Sequence, residues 1–350
     1  MKKLPVLLMI AFVSGAVISI ALADSWRFAV TDDSRAVASD NNSEGVAANT
    51  LGILVKDIKN QSVDFVIFPG DMVTGETNNT SRLNEMMDSW NAIVKPLYDD
   101  GIPIYTVRGN HEYNPLAKGA KNPADPSNGA YLRHFALPLI ATSIDGGFTY
   151  TFTHKNARFF GFDQYINRQS SFNNTLYTPH SNKGQMMNSW VTAQINNSTS
   201  SLNFAFAHEP LFPSKSHPDD MANDPESRDA LVEALSNHHG AYFCGHDHMY
   251  LRGTISNGRG QIVPELVIGT AGGGNYNYAP FNVTGYTGPN TFTVDKNYGN
   301  SSRPIFGYLL ITVYDNNTWI GEFRGFQYDT FSAGKPLNSG PIEIMDSFKR

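Results

Sequence analysis

The 350-residue chain is 41% hydrophobic and 17% charged, which allows a large core and excludes a disordered, highly charged chain. The net charge of −6 at pH 7 excludes extended nucleic-acid binding, because proteins that neutralise phosphates along DNA or RNA are basic. Cys244 is the only cysteine, so an internal disulfide is excluded and the fold must depend on core packing or bound metal.

Residues 1–23 have the features of a secretory signal peptide: two lysines, an uncharged apolar run and an Ala-Leu-Ala ending. An A-x-A ending of this kind is a signal-peptidase cleavage site. The alternative is a retained membrane anchor, because the apolar run approaches the length that spans a bilayer. The small residues at its end favour cleavage. We therefore expect a periplasmic or secreted protein with no stable membrane anchor after processing.

Strand and helix patterns alternate in the first third of the chain. Apolar strands are predicted at 27–31, 64–68 and 104–107. A helix pattern at 44–59 follows two capping residues, Asn42 and Ser43. A second helix pattern, at 83–97, should end or bend near Pro96. Because helices connect the strands, the strands should be parallel, with the residues after their carboxyl ends along one edge of a sheet.

The remainder of the chain also reads as mixed strand and helix. Residues 113–146 are rich in Asn, Pro and Gly without periodicity, which predicts a surface insertion. Further elements are predicted in this order: a hairpin at 148–152 and 158–162, a helix at 184–195, a strand at 202–207, a helix at 228–235, and strands at 241–244, 265–268, 307–313 and 319–323. The last residues carry no clear pattern.

Metal-ligand residue types follow the ends of five predicted strands. In chain order they are Asp33, Asp71, Asn110 with His111, His208, and His246 with His248. Carboxylates, a carboxamide oxygen and imidazoles are ligands for borderline divalent or trivalent metals. Because the set contains no thiolate, an open catalytic site is favoured over a structural zinc site.

These residues lie in five short blocks. They read Asp33-Ser34-Arg35, Gly70-Asp71-Met72-Val73, Gly109-Asn110-His111-Glu112, His208-Glu209-Pro210 and Gly245-His246-Asp247-His248. Their order and spacing resemble the D-x-H, G-D-x-x, G-N-H-D/E, H and G-H-x-H blocks of the calcineurin-like metallophosphoesterase superfamily, which includes the purple acid phosphatases. One block alone is weak, but five in order, each after a strand, are specific. The resemblance spans about residues 26 to 326 and implies an α/β fold, a four-layer αββα sandwich of two mixed β-sheets flanked by helices.

The resemblance also implies two metal ions (iron, manganese or zinc) that share one bridging carboxylate. The first ion would be held by Asp33, Asp71 and His248, and the second by Asp71, Asn110, His208 and His246. One shared carboxylate places two cations roughly 3.5–4 Å apart, close enough to bind one phosphate and activate a hydroxide. His111 diverges from its neighbour Asn110 and would act as general acid or transition-state donor, with Glu112 as an orienting partner.

The chain departs from the family pattern in two places. Arg35 stands where D-x-H has its histidine, and Thr74 stands where purple acid phosphatases have a tyrosine. A guanidinium cannot ligate a metal, so we expect a first site that is looser than the second, and no tyrosinate-to-iron colour. Arg35 would either hold a phosphate oxygen as a catalytic residue or form an ordinary salt bridge. Spacing leaves Asp32 and Asp33 open as the first ligand, and the register of the D-x-H block favours Asp33.

Three further features also have a predicted role. The run Gly272-Gly273-Gly274 lacks a Walker lysine and predicts a tight turn beside the site. Glu209 would either support its neighbour His208 or face solvent, and solvent is favoured. Cys244 is expected to be a small buried hydrophobic residue.

The expected function is hydrolysis of small phosphorylated substrates by an exported enzyme with a dinuclear metal centre. The expected organisation is a signal peptide (1–23), a catalytic domain (24–326) and a C-terminal tail (327–350). The alternative is a metal-binding or surface-interaction protein that keeps the fold without turnover, as the missing first-block histidine would suggest. His111 and the complete second ligand set favour the enzyme.

Overall fold

The computed structural model describes most of the chain. The described residues are 24–36, 44–75, 79–112, 126–135, 142–144, 147–165, 185–212, 225–279, 288–327, 331–332, 335–336 and 340–350. The predicted signal peptide at 1–23 lies outside these ranges. Within them, no helix combines the length and apolarity that a membrane span requires.

Helices and strands alternate along the first two thirds of the chain, and strands dominate the last third. The described helices are α1 Ala48–Lys59, α2 Thr80–Asp99, α3 Pro126–His134, α4 Gln185–Asn196 and α5 Pro225–Asn237. The described strands are β1 Ser25–Val30, β2 Phe65–Phe68, β3 Ile104–Thr106, β4 Thr142–Ile144, β5 Thr149–His154, β6 Ala157–Gly161, β7 Leu202–Phe206, β8 Gly240–Cys244, β9 Tyr250–Ser256, β10 Ile262–Ile268, β11 Thr291–Asn297, β12 Ile305–Tyr314, β13 Trp319–Gln327, β14 Phe331–Ser332, β15 Lys335–Pro336 and β16 Glu343–Lys349.

The first sheet has the strand order β16-β13-β12-β1-β2-β3. Strands β1, β2 and β3 are parallel, as the alternating pattern predicts, whereas β12 pairs with β1 in antiparallel fashion. The sheet is therefore mixed. Strand β16 pairs with β13 at the edge. The segment 327–350, expected as a tail without pattern, thus contributes a strand to the sheet.

The second sheet has the order β11-β9-β10-β8-β7-β6-β5-β4 and is also mixed. Its central strands β6, β7, β8 and β10 are parallel, and the outer strands are antiparallel. The carboxyl ends of β7 and β8 therefore open at the same edge of this sheet, as β1, β2 and β3 do in the first sheet.

The two sheets pack face to face through aromatic side chains. The ring of Phe28 on β1 lies 5.3 Å from Phe159 on β6 and 5.6 Å from Phe204 on β7, centroid to centroid. All three are fully buried. Helix α1 packs on the first sheet through β12 and on α2, while α5 packs on the second sheet and on α4. The architecture is the expected four-layer αββα sandwich.

Three local features differ from the sequence expectation. Helix α1 begins at Ala48 after Ala47, which gives no side-chain cap, and the expected caps Asn42 and Ser43 lie outside the described residues. Helix α2 does not end at Pro96, which was one of the two expected outcomes; it continues to Asp99, and Leu97 beyond the proline is buried in the core. The stretch 113–146, expected as an insertion without periodicity, contains α3 and β4.

Candidate metal centre

The carboxyl ends of five parallel strands bring the site residues together. Asp33 follows β1, Asp71 follows β2, and Asn110 and His111 follow β3. On the facing sheet, His208 follows β7, and His246 and His248 follow β8. Each chain segment turns sharply here: Asp33, Asp71 and His246 have φ of 62°, 46° and 65°. This left-handed backbone is uncommon outside glycine and is found at functional sites, where the surrounding structure holds it.

Glycine is required where the backbones of these turns approach the carboxylates. A Cβ on Gly109 would lie 2.1 Å from Oδ1 of Asp71, and one on Gly245 would lie 1.8 Å from Oδ2 of Asp32. Both distances are too short for nonbonded atoms. The glycines of the G-N-H-E and G-H-D-H blocks therefore make room for the carboxylates.

One group of donor atoms surrounds Oδ1 of Asp71. Nε2 of His208 lies 3.4 Å from this oxygen and 3.2 Å from Oδ1 of Asn110. Nδ1 of His246 lies 3.1 Å from the same Asn110 oxygen and 3.2 Å from Nε2 of His208. The structure thus brings together the four residues expected to hold the second metal.

A second group of donor atoms includes Asp33, Asp71 and His248. Nε2 of His248 lies 3.3 Å from Oδ1 of Asp33, and ligand atoms of all three residues lie within 4.8 Å of one another. Oδ2 of Asp33 accepts a hydrogen bond from the backbone nitrogen of His246 at 2.8 Å. All three residues are buried. These are the residues expected to hold the first metal.

Asp32 faces a different partner from Asp33. Its Oδ2 lies 3.2 Å from Nδ1 of His208, the nitrogen on the far side of the ring from Asp71. A carboxylate in this position fixes the tautomer and orientation of a ligating imidazole. Asp32 therefore supports His208, and Asp33 lies beside His248.

The electrostatics of the cluster fit a cation. Asp32, Asp33 and Asp71 are all buried, and burial followed by the charge of Asp33 raises the pKa of Asp32 well above its usual range. Burial alone would raise the pKa of Asp71, but His208, His111 and Arg35 hold it well below its usual range. Burial would lower the pKa of His208, but Asp71 and Asp32 raise it well above its usual range. Closely spaced buried carboxylates with imidazole nitrogens and a carboxamide oxygen form a site for a divalent or trivalent metal.

His111 lies beside the bridging carboxylate without belonging to either donor group. Its Nδ1 lies 2.7 Å from the carbonyl oxygen of Thr74, and its Nε2 lies 3.8 Å from Oδ2 of Asp71. Because a carbonyl oxygen only accepts, Nδ1 carries a hydrogen and Nε2 faces the site. The Thr74 carbonyl therefore orients His111, whereas the carboxylate of the expected partner Glu112 accepts hydrogen bonds from backbone nitrogens.

Glu112 has a role that the sequence did not indicate. Its carboxylate accepts hydrogen bonds from the backbone nitrogens of Asp71 and Gly109 at 2.8 Å and of Val73 at 3.0 Å. The side chain is fully buried, and burial followed by the charge of Asp71 raises its pKa to about 7. Glu112 therefore joins the turns after β2 and β3, which carry Asp71 and Asn110.

Arg35 lies among the residues of the first donor group. Its Nε is 3.5 Å from Oδ2 of Asp71, and its Nη2 is 3.3 Å from Nε2 of His248 and 3.4 Å from the hydroxyl of Tyr276. The ring of Tyr276 stacks on His248 with centroids 4.3 Å apart. The sequence predicts that the aromatic stretch starting at Tyr276 either stacks on a base or sugar or packs, but it did not indicate these contacts with His248 and Arg35, because Tyr276 lies 28 residues beyond His248 in a glycine-rich loop.

The structure also shows where Thr74, the glycine run and Cys244 lie relative to the site. The side-chain hydroxyl of Thr74, in the family's tyrosine position, donates to the backbone carbonyls of Ala36 and Gly45 and does not reach the site. The glycine run lies beside the site as expected, since the nitrogen of Gly273 bonds to the carbonyl oxygen of Asp33. Cys244 is buried and free, as expected.

The expectation that Glu209 faces solvent is wrong. Its side chain is fully buried, and the hydroxyl of Tyr165 donates a hydrogen bond to it.

Comparison with known proteins agrees with this geometry. The family model described as calcineurin-like phosphoesterase matches residues 36–250, which begins just after Arg35. No curated protein matches the chain.

Solved structures share the fold at low sequence identity. A structure of PhoD has a TM-score of 0.63 at 16% identity, covering 93% of this chain and 69% of that one. GAP50, described as the anchor in the inner membrane complex of Plasmodium, has a TM-score of 0.52 at 14% identity over 92% of this chain and 90% of its own. A dimetal phosphatase from Danio rerio has a TM-score of 0.50 at 15% identity, covering 86% of this chain and 96% of that one. The chain belongs to the calcineurin-like phosphoesterase family, metal-dependent hydrolases that act on phosphoric esters.

Proposed function

We propose that this chain is an exported phosphoesterase with two cation positions that share Asp71. The observation that carries the proposal is the placement of the two Asp71 oxygens. Oδ1 lies 3.4 Å from Nε2 of His208 in the second donor group. Oδ2 lies 3.5 Å from Nε of Arg35, whose Nη2 contacts Nε2 of His248 in the first donor group. A carboxylate whose two oxygens face different donor groups is the geometry that a bridging ligand needs.

The proposed ligands follow from the two donor groups. Asp33, Asp71 and His248 would hold the first cation, and Asp71, Asn110, His208 and His246 the second. Bound cations would lower the pKa of a bound water toward about 7, which would make it a nucleophile, and would neutralise charge on the phosphate. Iron, manganese and zinc all suit this mixed oxygen and nitrogen set.

The protein's own residues orient the substrate and transfer the proton. Nε2 of His111 faces Asp71, and its ring is fixed by the Thr74 carbonyl. As an imidazolium, with a second hydrogen on Nε2, it can donate that proton to the leaving oxygen of the ester and become the neutral imidazole with its hydrogen on Nδ1. Arg35, a donor-only side chain at the edge of the first ligand group, can hold a non-bridging phosphate oxygen once it leaves His248. Both residues are proposed as catalytic.

The location and organisation are also proposals. Residues 1–23 are proposed as a cleaved signal peptide, so the catalytic domain starting at residue 24 would act in the periplasm or outside the cell on small phosphorylated substrates. Expression of the full chain followed by N-terminal sequencing of exported material tests this directly. Retention of the first 23 residues on a membrane-bound product would contradict it.

The activity is tested with p-nitrophenyl phosphate and bis-p-nitrophenyl phosphate. We expect cleavage of one or both esters, loss of activity with a chelator, and recovery on addition of manganese. The preferred ester assigns the enzyme as a monoesterase or a diesterase. If neither ester is cleaved by protein whose metal content is full, the alternative of a metal-binding protein without turnover replaces this proposal.

A further inference from the structure

The guanidinium of Arg35 contacts the same atoms that would bind the first cation. Its Nη2 lies 3.3 Å from Nε2 of His248, and its Nε lies 3.5 Å from Oδ2 of Asp71. The side chain is 17% exposed, and that of His248 is 2% exposed. Arg35 is therefore a largely buried positive charge inside the first ligand group.

The hydrogen-bond pattern of His248 shows what this contact involves. Nδ1 of His248 lies 2.9 Å from the carbonyl oxygen of Gly274, which can only accept, so Nδ1 carries the hydrogen. Arg35 has donors and no acceptor, and its guanidinium stays protonated. Nε2 of His248 must therefore accept from Arg35. This nitrogen has one lone pair, which can accept a hydrogen bond or ligate a metal, but not both.

We propose that Arg35 competes with the first cation for His248 and Asp71, so the two metals bind in sequence with unequal affinities. The inference rests on the proposed metal centre and adds to it a cause for the inequality. Missing ligands alone would weaken the first site passively. Competition means that the first cation must displace a hydrogen-bonded guanidinium before it can bind.

Tyr276 holds the competing arrangement in place. Its hydroxyl lies 3.4 Å from Nη2 of Arg35, while its ring stacks on His248 with an interplanar angle of 5°. The second ligand group has its own donors close together: Oδ1 of Asn110 lies 3.2 Å from Nε2 of His208 and 3.1 Å from Nδ1 of His246. The second position is therefore expected to fill first.

Calorimetric titration of metal-free protein with Mn²⁺, together with metal analysis after gel filtration, tests the proposal. The wild type should bind one equivalent of Mn²⁺ tightly and a second equivalent weakly. Arg35→Ala removes the competitor without adding a ligand, so the weak equivalent should tighten by about ten- to a hundredfold. If missing ligands were the only cause, this variant would bind like the wild type. Arg82→Ala, which removes a surface arginine paired with Glu85, is the matched control and should change nothing.

Tyr276→Phe separates competition from a simple loss of positive charge. The variant keeps the stacked ring and the net charge but loses the hydroxyl that contacts Arg35. Its weak equivalent should tighten by about two- to fivefold. Tightening in Arg35→Ala with none in Tyr276→Phe would assign the effect to net charge and overturn the proposal.

Two further outcomes distinguish this inference from the proposed function. Wild type and Arg35→Ala that both bind two equally tight Mn²⁺ ions would overturn competition and leave the metal centre intact. If no variant takes up metal under any loading, the proposed metal centre fails, and the inference fails with it.

Discussion

Glu112 lies buried beneath Asp71 and accepts a hydrogen bond from its backbone nitrogen at 2.8 Å. The same carboxylate oxygen accepts from the nitrogen of Gly109, and the other oxygen accepts from Val73. One side chain therefore fixes the spacing of two loops that carry ligands. Its contribution is positional, since it lies outside both ligand groups.

Glu112→Gln should destabilise the fold and weaken metal binding. The amide keeps the shape of the side chain, but its NH₂ group cannot accept, so at least one buried backbone N–H loses its partner at a cost of about 1–3 kcal/mol. Urea unfolding and Mn²⁺ titration measure the two effects. Glu85→Gln, at a largely exposed position on α2, should stay within about 0.5 kcal/mol of the wild type. Equal stability of the two variants would show that Glu112 does not hold the loops.

Gly109→Ala should abolish tight metal binding. The added Cβ would lie 2.1 Å from Oδ1 of Asp71 and 2.4 Å from its backbone nitrogen, so the carboxylate must move. We expect a stability loss of about 1–3 kcal/mol and at least a tenfold loss of Mn²⁺ affinity. Gly52→Ala, at an open position inside α1, is the control and should stabilise by about 0.5–1 kcal/mol. Unchanged metal affinity in Gly109→Ala would show that this contact does not constrain Asp71.

The strand ends of the site could be predicted because their signals are local. A buried parallel strand reads as a short apolar run, and the residues after its carboxyl end lie at a common edge. Asp71 after β2 and His208 after β7 follow this rule. The pairing of Asp32 with His208 could not be predicted, because both neighbouring aspartates lie in the same turn and only the backbone at Asp33, with φ of 62°, separates their directions.

Other parts of the fold carry weak sequence signals. Strand β16 lies at a sheet edge, and Ile344 in this strand is 51% exposed. Because neither face of β16 is deeply buried, the sequence of the strand does not alternate clearly between apolar and polar residues. Helix α3 follows a Pro- and Asn-rich stretch, yet Tyr131 within it is buried and its hydroxyl bonds to that of Thr106. The roles of Glu112 and Tyr276 depend on loops that meet only in three dimensions.

His154 should make the stability of the metal-free protein depend on pH. Its ring makes edge contacts with the rings of Trp26 and Phe65, and burial lowers its pKa although Asp64 acts in the opposite direction. The unfolded chain therefore binds more protons below about pH 6.5, so stability is present above that pH and is lost as pH falls toward the folded pKa.

The His154 effect is measured as a double difference. Urea unfolding of metal-free wild type and His154→Gln at about pH 8 and pH 5.5 should show a larger loss on acidification in the wild type. His238→Gln, in the turn after α5, controls for removal of an imidazole elsewhere. If His154→Gln loses as much stability as the wild type, burial of His154 does not contribute to acid sensitivity.

His111→Ala should separate chemistry from metal binding. His111 belongs to neither ligand group, and its Nε2 lies 3.8 Å from Oδ2 of Asp71, so metal content and Mn²⁺ affinity should match the wild type. Turnover of esters with poor leaving groups, such as phenyl phosphate, should fall by about 10²–10⁴ because the proton donor is lost. The drop should be smaller for esters with better leaving groups, since these need less protonation as they depart. His134→Ala is the control and should leave turnover unchanged. It removes the imidazole at the end of α3, which contacts Asp88 on α2. A His111→Ala enzyme with wild-type turnover would remove this side chain from the mechanism, and one with reduced metal content would make it a support for the ligands.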